Sequence, residues 1–538
     1  MKKLEVGENW IDRAIGYVAP VHGARRLMAR QNMAVANAYI GASKSRRQTN
    51  NWNPATGDAD AALNPDLLTL RDRSMDLYRN TPLAIGAINT NRTSVIGSGL
   101  KLESQIDRRV LNLSDDQTEA WEDRAEMEFR LWAESGECDI ARGMSFGDIM
   151  DVCFTTMMLK GDIFVNMPMI KRTGSPYDLK LQMIDPDRVC NKDFAPDTLE
   201  LSAGVEKDKN GAPTYYHILN THPDRYDSKK SRKWTRAQVF GQLTGRRRIL
   251  HLVKHTLPNQ TRGIPYLAPV IETFKMLDRY TEAEVMAAVI SGMFTVFIKS
   301  ESGDTDLNPM SPVGETGGKT TDEDYKLAAG AMVGLGPNES IETANPGRPN
   351  TAFDPFVQAV LRQVGVALEL PMELLIKHFT SSYSASRAAL LEAWRFFTSR
   401  RQTFARKFCQ PVYENWMEEA VLKGRIHAPG FMDDPIIRRA YLGAKWVGPA
   451  KGQIDEKKEV EAAKLRIDSG FSTYAEVTSE INGGDHRQNV ARIKREKETM
   501  RQAGMVEEDK PTIPGADAFN AITELEPDQI EGLENENT

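Results

Sequence analysis

The chain has 538 residues, a net charge of −6 and apolar and charged fractions ordinary for a folded soluble protein, a length sufficient for about three or four domains. Its longest weakly polar run, Val285 to Ile298, is too short, and too broken by Ser291 and Gly292, to span a bilayer. The cysteines Cys138, Cys153, Cys190 and Cys409 form no CxxC pair, which predicts a reducing compartment and no disulfide framework.

The charge is unevenly placed. Residues 1–50 carry nine Lys/Arg against three Asp/Glu, a net of +6, and residues 501–538 carry two against ten, a net of −8. The basic start is read as a solvated arm or a contact for an anionic partner. Glu5, Glu8 and Asp12 argue against a transit peptide, and no signal-peptide apolar region is present. RRLMARQNMAVANAYI within the arm reads as a helix suited to docking on a neighbour. NPDLLTLRDRSMDLYRN then reads as a helix. Pro82 suits the first turn of the next one, and Gly97 and Gly99 permit a turn into the alternating strand Leu100-Lys101-Leu102. Ser114-Asp115-Asp116 signals an N-cap, and Trp121, Phe129 and Trp132 mark a buried helix face. Met144-Ser145-Phe146 opens a further helix whose Met-rich face reads as core.

From Gly161 the apolar period changes to two. GDIFVNMPMI and LKLQMID around Thr173-Gly174-Ser175-Pro176 read as a hairpin, LELSAGVE and TYYHILN around Asn210-Gly211 as a second, and RRRILHLVKH as a third strand candidate. His251 and His255 could share one face of that strand, but no third ligand is near and Lys254 adds unfavourable charge, so no metal site is expected. A long helix follows, from Pro265 or Pro269 to about Gly292, with a polar stripe at Glu272, Lys275, Arg279 and Glu282 and an uncharged second half. MFTVFIKS returns to strand character, and the Gly-, Pro-, Thr- and acid-rich run after it reads as a mobile loop. That loop holds GETGGKT, Gly314 to Thr320, which imitates a P-loop. Only three residues separate Gly314 from Gly318 where four are required, and neither a buried strand nor an apolar helix flanks it, so no nucleotide site is expected.

The run from Ala385 to Lys423 is the longest helical pattern. Leu390, Trp394, Phe397, Phe404 and Phe408 recur at helical spacing, while Arg387, Arg395, Arg400, Arg406 and Lys407 lie mainly off that line. From Ala385 to Gln410 it would be roughly 39 Å long, and Pro411 predicts a kink just ahead of it. Before it stands His378, Phe379, Thr380, Ser381, Ser382, Tyr383 and Ser384, a loop without Asp, Glu, Lys or Arg, with Ser384 a candidate N-cap. After the helix, WVGPAKGQIDEKKE to KETM reads helix, turn, helix, helix, capped at Ser472-Thr473 and broken at Gly483-Gly484. Beyond about Gln502 the acidic, Pro- and Gly-marked chain is expected to be disordered.

Several of these stretches, in order over roughly residues 64–500, resemble the phage portal proteins of the lambda type. They are Leu70-Arg71-Asp72-Arg73-Ser74 with Arg79-Asn80 and Val95-Ile96-Gly97-Ser98-Gly99, then Ile184-Asp185-Pro186-Asp187, then Arg262-Gly263-Ile264-Pro265. Leu370-Pro371, Tyr383-Ser384 and Ser386-Arg387-Ala388 follow. The strand Leu335-Gly336-Pro337-Asn338-Glu339-Ser340-Ile341 departs from the pattern, with Asn338 where the family has Gly, which bears on the local turn alone.

The resemblance implies an α+β, mainly helical portal fold. Its parts would be a basic arm over 1–50, a wing over 51–264, a stem helix over 265–292, a clip with its mobile loop over 293–350 and a second stem helix over 351–377. A tunnel loop over 378–384, a kinked tunnel helix over 385–427, a helical wing/crown region over 428–502 and a disordered acidic tail over 503–538 would follow. It also implies a homo-oligomeric ring, a dodecamer, at one capsid vertex of the virion, assembled in the host cytoplasm, through which double-stranded DNA passes independently of sequence. Its partners would be the terminase large subunit, the capsid or scaffold protein and a head-tail connector protein, with no membrane, cofactor, metal or nucleotide. His378 to Ser384 would face the channel, and Arg387, Trp394, Arg395, Phe397 and Pro411 would belong to the tunnel helix.

No catalytic set stands out: there is no Gly-x-Ser-x-Gly and no His-Glu-x-x-His, and the carboxylates read as solvated helical faces. A channel for moving DNA has its own requirement. Each phosphate neutralised strengthens binding, so a rim of Lys or Arg would hold the duplex, whereas hydroxyls offer weak, exchangeable contacts. The arginines after the loop are therefore expected to pair with carboxylates, Arg387 with neighbours near Glu392 or on another subunit, or to face away. Two other readings remain open at this point, a helical virion or scaffold protein without a channel and a DNA-binding enzyme with an unrecognised site.

Overall fold

The computed structural model describes short stretches between residues 15 and 54, then 57–225, 232–292, 296–300, 339–343, 351–379, 382–452 and 456–503. The arm over 1–50 lies largely outside these residues, and Gly314 to Thr320 and the acidic tail beyond Ala503 lie wholly outside them. The chain divides into two compact units. The smaller, residues 1–68 with 255–262, contains a helix Ala59–Leu63 capped by Asp58, whose carboxylate accepts the Ala61 N–H at 2.7 Å. Asp60 in turn accepts the Thr261 N–H at 2.7 Å.

The larger unit is α+β and mainly helical. Pro82 opens the helix Pro82–Val95, where its missing N–H costs nothing, and Gly97 and Gly99 take the positive φ that turns the chain into strand β1, Lys101–Ser104. Ser114 and Ser145 each form a capping box, with Gln117 and Asp148, at the starts of helices Asp115–Ala133 and Phe146–Lys160. The expected first hairpin pairs β2, Asp162–Asn166, with β3, Gln182–Ile184. β8, Ile249–Val253, pairs with the other edge of β2 to complete a three-stranded antiparallel sheet.

The hairpin around Asn210-Gly211 joins β5, Val205–Lys207, to β6, Pro213–Leu219. It belongs to a four-stranded sheet in the order β4-β5-β6-β7, with β4 at Leu201–Ser202 and β7 at Trp234–Gln238. β9, Val296–Ser300, and β10, Glu339–Thr343, pair antiparallel. β11, Ala444–Val447, pairs with β1, so WV ends a strand and does not open the expected helical run. Four residues carry no period of their own, and this strand's partner lies some 340 residues away. Among the described residues no helix is long and apolar enough to cross a membrane.

The core gathers helices Pro82–Val95, Asp115–Ala133, Phe146–Lys160 and the long helix after residue 382. Phe129 sits at its centre, edge-on to Phe146, Tyr413, Trp416 and Trp446 at 5.1–5.9 Å between centroids. Several carboxylates read as solvated are buried instead. Glu128 takes a two-pronged contact from Arg425 at 2.8 and 3.1 Å and the Tyr177 hydroxyl at 2.9 Å, and Glu419 accepts the backbone N–H groups of Asp178 and Leu179. Each satisfies donors that would otherwise be orphaned inside the protein, which composition along a helix does not reveal.

Glu122 and Glu126, one helical turn apart, hold the N–H groups of Ile106 and Ser104 at 3.0 and 2.8 Å and so fix the exit of β1. Burial pushes the Glu126 carboxyl up to about 7 from the ordinary 4.5, against the pull of the Ser104 N–H. The folded chain therefore keeps this proton where the unfolded chain has lost it. The associated stability is full below pH 4.5 and disappears as pH rises to about 7. Glu126→Gln retains the acceptor for Ser104 but cannot ionise. Its thermal midpoint, measured across that window, is expected to gain steadily on the parent's as pH rises; a constant difference would remove Glu126 as the titrating group.

Candidate channel segment

The segment is built from its N-terminal side. Helix Phe353–Leu368 ends on Glu369, left-handed at φ 57°, and the Leu370 N–H returns to the Gly365 carbonyl at 2.9 Å. A Cβ on Gly365 would meet the Leu370 oxygen at 2.6 Å, so only glycine lets the chain fold back this closely. Pro371 caps the short helix Met372–Ile376, and Lys377, again left-handed, turns the chain outward. His378 and Phe379 are exposed; Thr380 and Ser381 lie outside the described residues, as does the side chain of Tyr383. Ser382 and Ser384 are exposed.

The N-cap is Ser382 and not Ser384: its hydroxyl accepts the Ala385 N–H at 3.4 Å, and the helix Tyr383–Phe404 begins two residues earlier than expected. Both serines suit the role chemically, and only the position of the first turn selects between them. Ahead of Pro411 the chain adopts π-helix over Ala405–Cys409 and resumes as α-helix over Gln410–Leu422. The wider turn leaves room for the proline ring, which would otherwise crowd the carbonyl four residues back.

Phe397, Phe404 and Phe408 are buried, and Trp394 is half-buried edge-on to Phe397. The cations follow three patterns. Arg387 approaches Glu459 of the helix Glu456–Asp468 at 3.7 Å, and Arg400 pairs with Glu369 at 2.7 Å while bonding Asn91 and lying over the Tyr266 ring. Arg401 and Lys407 are drawn inward onto carbonyls. Arg401 donates to Ser94, Val95 and Pro449 at 2.8–3.1 Å, and Lys407 to Val253. Burial lowers the pKa of both, with the Arg406 charge adding to the effect at Lys407. Ser94 and Val95 close the helix Pro82–Val95, so Arg401 serves carbonyls that have no partner within that helix and meets the negative end of its dipole. Sequence reading missed this clamp, since nothing local distinguishes Arg401 from Arg400. Third, Arg395 and Arg406 are exposed, and among the described residues neither has an acidic partner.

A second set of sequence-marked residues meets far from the loop. Buried Arg71 donates to Asp162 at 2.6 Å, to Asp187 at 2.9 Å and to the Lys160 carbonyl at 2.8 Å. Lys160 Nζ lies 2.8 Å from Asp185 and 2.5 Å from Asp187, where these carboxylates outweigh the effect of burial and raise its pKa. Asp185, Asp187 and His222 stand close enough together to ligate a metal, but the Lys160 ammonium already supplies the cation at these two carboxylates. His251 Nε2 lies 3.0 Å from Asp162 and its ring stacks on Phe164, while His255 falls past the end of β8.

The family profile described as "Phage portal protein, lambda family" matches residues 45–401. The chain is 26% identical over 509 residues to "Portal protein B" of Escherichia phage lambda, covering 90% of this chain and 93% of that one. It is also 26% identical over 498 residues to the "Portal protein" of Escherichia phage N15, covering 88% and 91%. Among solved structures, it is similar to a chain from the "Neck of native GTA particle computed with C12 symmetry", with TM-score 0.41 and 13% identity over 77% of this chain and 92% of that one.

Proposed function

Because the chain belongs to the lambda family of phage portal proteins, we infer that it works as a portal, the channel at one capsid vertex through which the genome is packaged and ejected. The match over residues 45–401, which includes the loop and the long helix as far as Arg401, is the observation that carries this reading.

On the same premise the subunits form a ring, with twelve copies the expected number, and double-stranded DNA passes through without regard to sequence. The protein resides in the virion and assembles in the host cytoplasm. Terminase large subunit, capsid or scaffold protein and head-tail connector protein dock on it. Residues 378–384 face the channel and 385–427 form the tunnel helix, with wing, stem and clip as bounded above. Support for the loop's role is chemical: residues 378–384 carry hydroxyls and no formal charge, and of the arginines that follow, Arg387 lies near Glu459, Arg400 is held by Glu369 and Arg401 by carbonyls, while Arg395 is exposed.

The role is structural, and neither ATP nor DNA is expected to be hydrolysed by the purified protein; turnover of either that copurifies with the ring would revive the enzymatic reading. Negative-stain imaging is expected to show annular particles with a central hole. A persistent monomer at high concentration, with capsid and scaffold partners present, would overturn the channel.

A further inference from the structure

An open cleft of about 1330 Å³ lies beside the middle of the long helix, between Trp394 and Glu414 on one side and the segment Pro435 to Lys451 with parts of the following two helices on the other. Its lining carries seven Lys and Arg side chains against three Glu, a local excess of four positive charges. Arg438, Lys445 and Arg466 already meet Glu418, Glu103 and Glu480, at 3.3, 3.6 and 3.2 Å. Arg401 is spent on carbonyls. Arg406, Arg439 and Lys451 are exposed, and among the described residues no carboxylate pairs with them. Between these cations the cleft presents half-buried indole and aliphatic surface, from Trp394, Trp446 and Val447. A site of this kind fits an anionic chain that also carries apolar side chains.

The protein has such a chain. Residues 504–538 hold ten Asp/Glu and one Lys, a net of −9, and six of the acids, Glu524, Glu526, Asp528, Glu531, Glu534 and Glu536, alternate with Leu525, Ile530 and Leu533. The segment follows the helix His486–Gln502, and its 35 residues could reach up to roughly 115 Å at about 3.3 Å per residue. We propose that the acidic segment 504–538 docks in this cleft and neutralises Arg406, Arg439 and Lys451. The consequence is specific to a protein that handles DNA. Unpaired cations beside the long helix would otherwise bind phosphates and release their counterions, and the carboxylates occupy them instead.

The test uses the full chain. Carbodiimide coupling joins ammonium and carboxylate groups only when they touch, and mass spectrometry of the digest then maps the links. Lys451 is expected to couple to acids within 524–536. The yield should fall at least about tenfold in Arg406→Glu/Arg439→Glu, and likewise at about 1 M salt, where the screening length is about 3 Å. Both arginines are exposed, so the fold should survive. Coupling of the acids to lysines across the whole surface, or a yield indifferent to the arginine changes, would overturn the proposal.

A second measurement separates the segment from DNA as the occupant. A short labelled duplex should bind at least about tenfold more tightly when the six acids are changed to their amides (E524Q, E526Q, D528N, E531Q, E534Q and E536Q). Equal duplex binding by parent and amide chain, lost in both on Arg406→Glu/Arg439→Glu, would assign the cleft to nucleic acid and sink the proposal.

Discussion

Replacing Ser381 and Ser382 together by lysine is expected to leave rings intact and to stop DNA from passing through them. The size of the effect comes from symmetry. Two lysines per subunit in a twelve-fold ring would put about two dozen charges around one duplex, which presents one phosphate charge per roughly 1.7 Å of its axis. Over a collar about 10 Å deep that is only about six phosphates, so the added cations exceed the anions within reach, and each step of the DNA must break several ion contacts at once. Packaging measured as nuclease-protected DNA should fall by at least about tenfold, with partial recovery at higher salt. A control is needed because Ser382 also caps the long helix, and loss of a cap costs about 1 kcal/mol. Ser382→Ala carries that loss without the charge and is expected to package normally. Normal packaging by intact double-lysine rings would take the loop out of the mechanism.

How much of this was readable in advance depends on the range of each interaction. Local signals carried far: Ser114 and Ser145 announce their capping boxes within four residues, Pro82 its first turn, and Asn210-Gly211 its hairpin. The family motifs carried the portal assignment, but nothing in them said which side chains meet. β11 was invisible because its pairing with β1 is the only reason it exists. The choice of Ser382 over Ser384 as N-cap turns on where the first turn begins, and that of Arg401 over Arg400 as clamp on the helix Pro82–Val95 on register between elements some 307 residues apart. The buried glutamates were misread for a related reason. Glu122, Glu128 and Glu419 have the spacing of surface residues, and their burial is tolerable only because N–H groups and arginines brought by other elements satisfy them.

The buried charge network shows the same logic at its highest energetic stake. Arg71 of the first motif reaches Asp187 of Ile184-Asp185-Pro186-Asp187, and through Asp162 it reaches β2 next to His251, so three elements converge on one guanidinium. Its planar fork makes three donations at once, which an ammonium cannot copy. Arg71→Met should therefore take the Arg71 guanidinium away from fully buried Asp162 and from buried Asp187, which keeps Lys160 at 2.5 Å and His222 at 3.6 Å. Losing one partner of a buried ion pair costs about 3–5 kcal/mol, because the remaining charge is stranded in a medium that solvates it poorly. In a chain of this size the loss should appear as an earlier first transition in denaturant and as a lower yield of rings. The physical cause can be separated from mere loss of volume. If the stranded anion is the penalty, then Arg71→Met combined with Asp162→Asn should be more stable than Arg71→Met alone, a non-additivity that a packing defect would not produce. A double variant less stable than the single one would mean that Arg71 acts through its shape and contacts, and that the charge on Asp162 is compensated elsewhere.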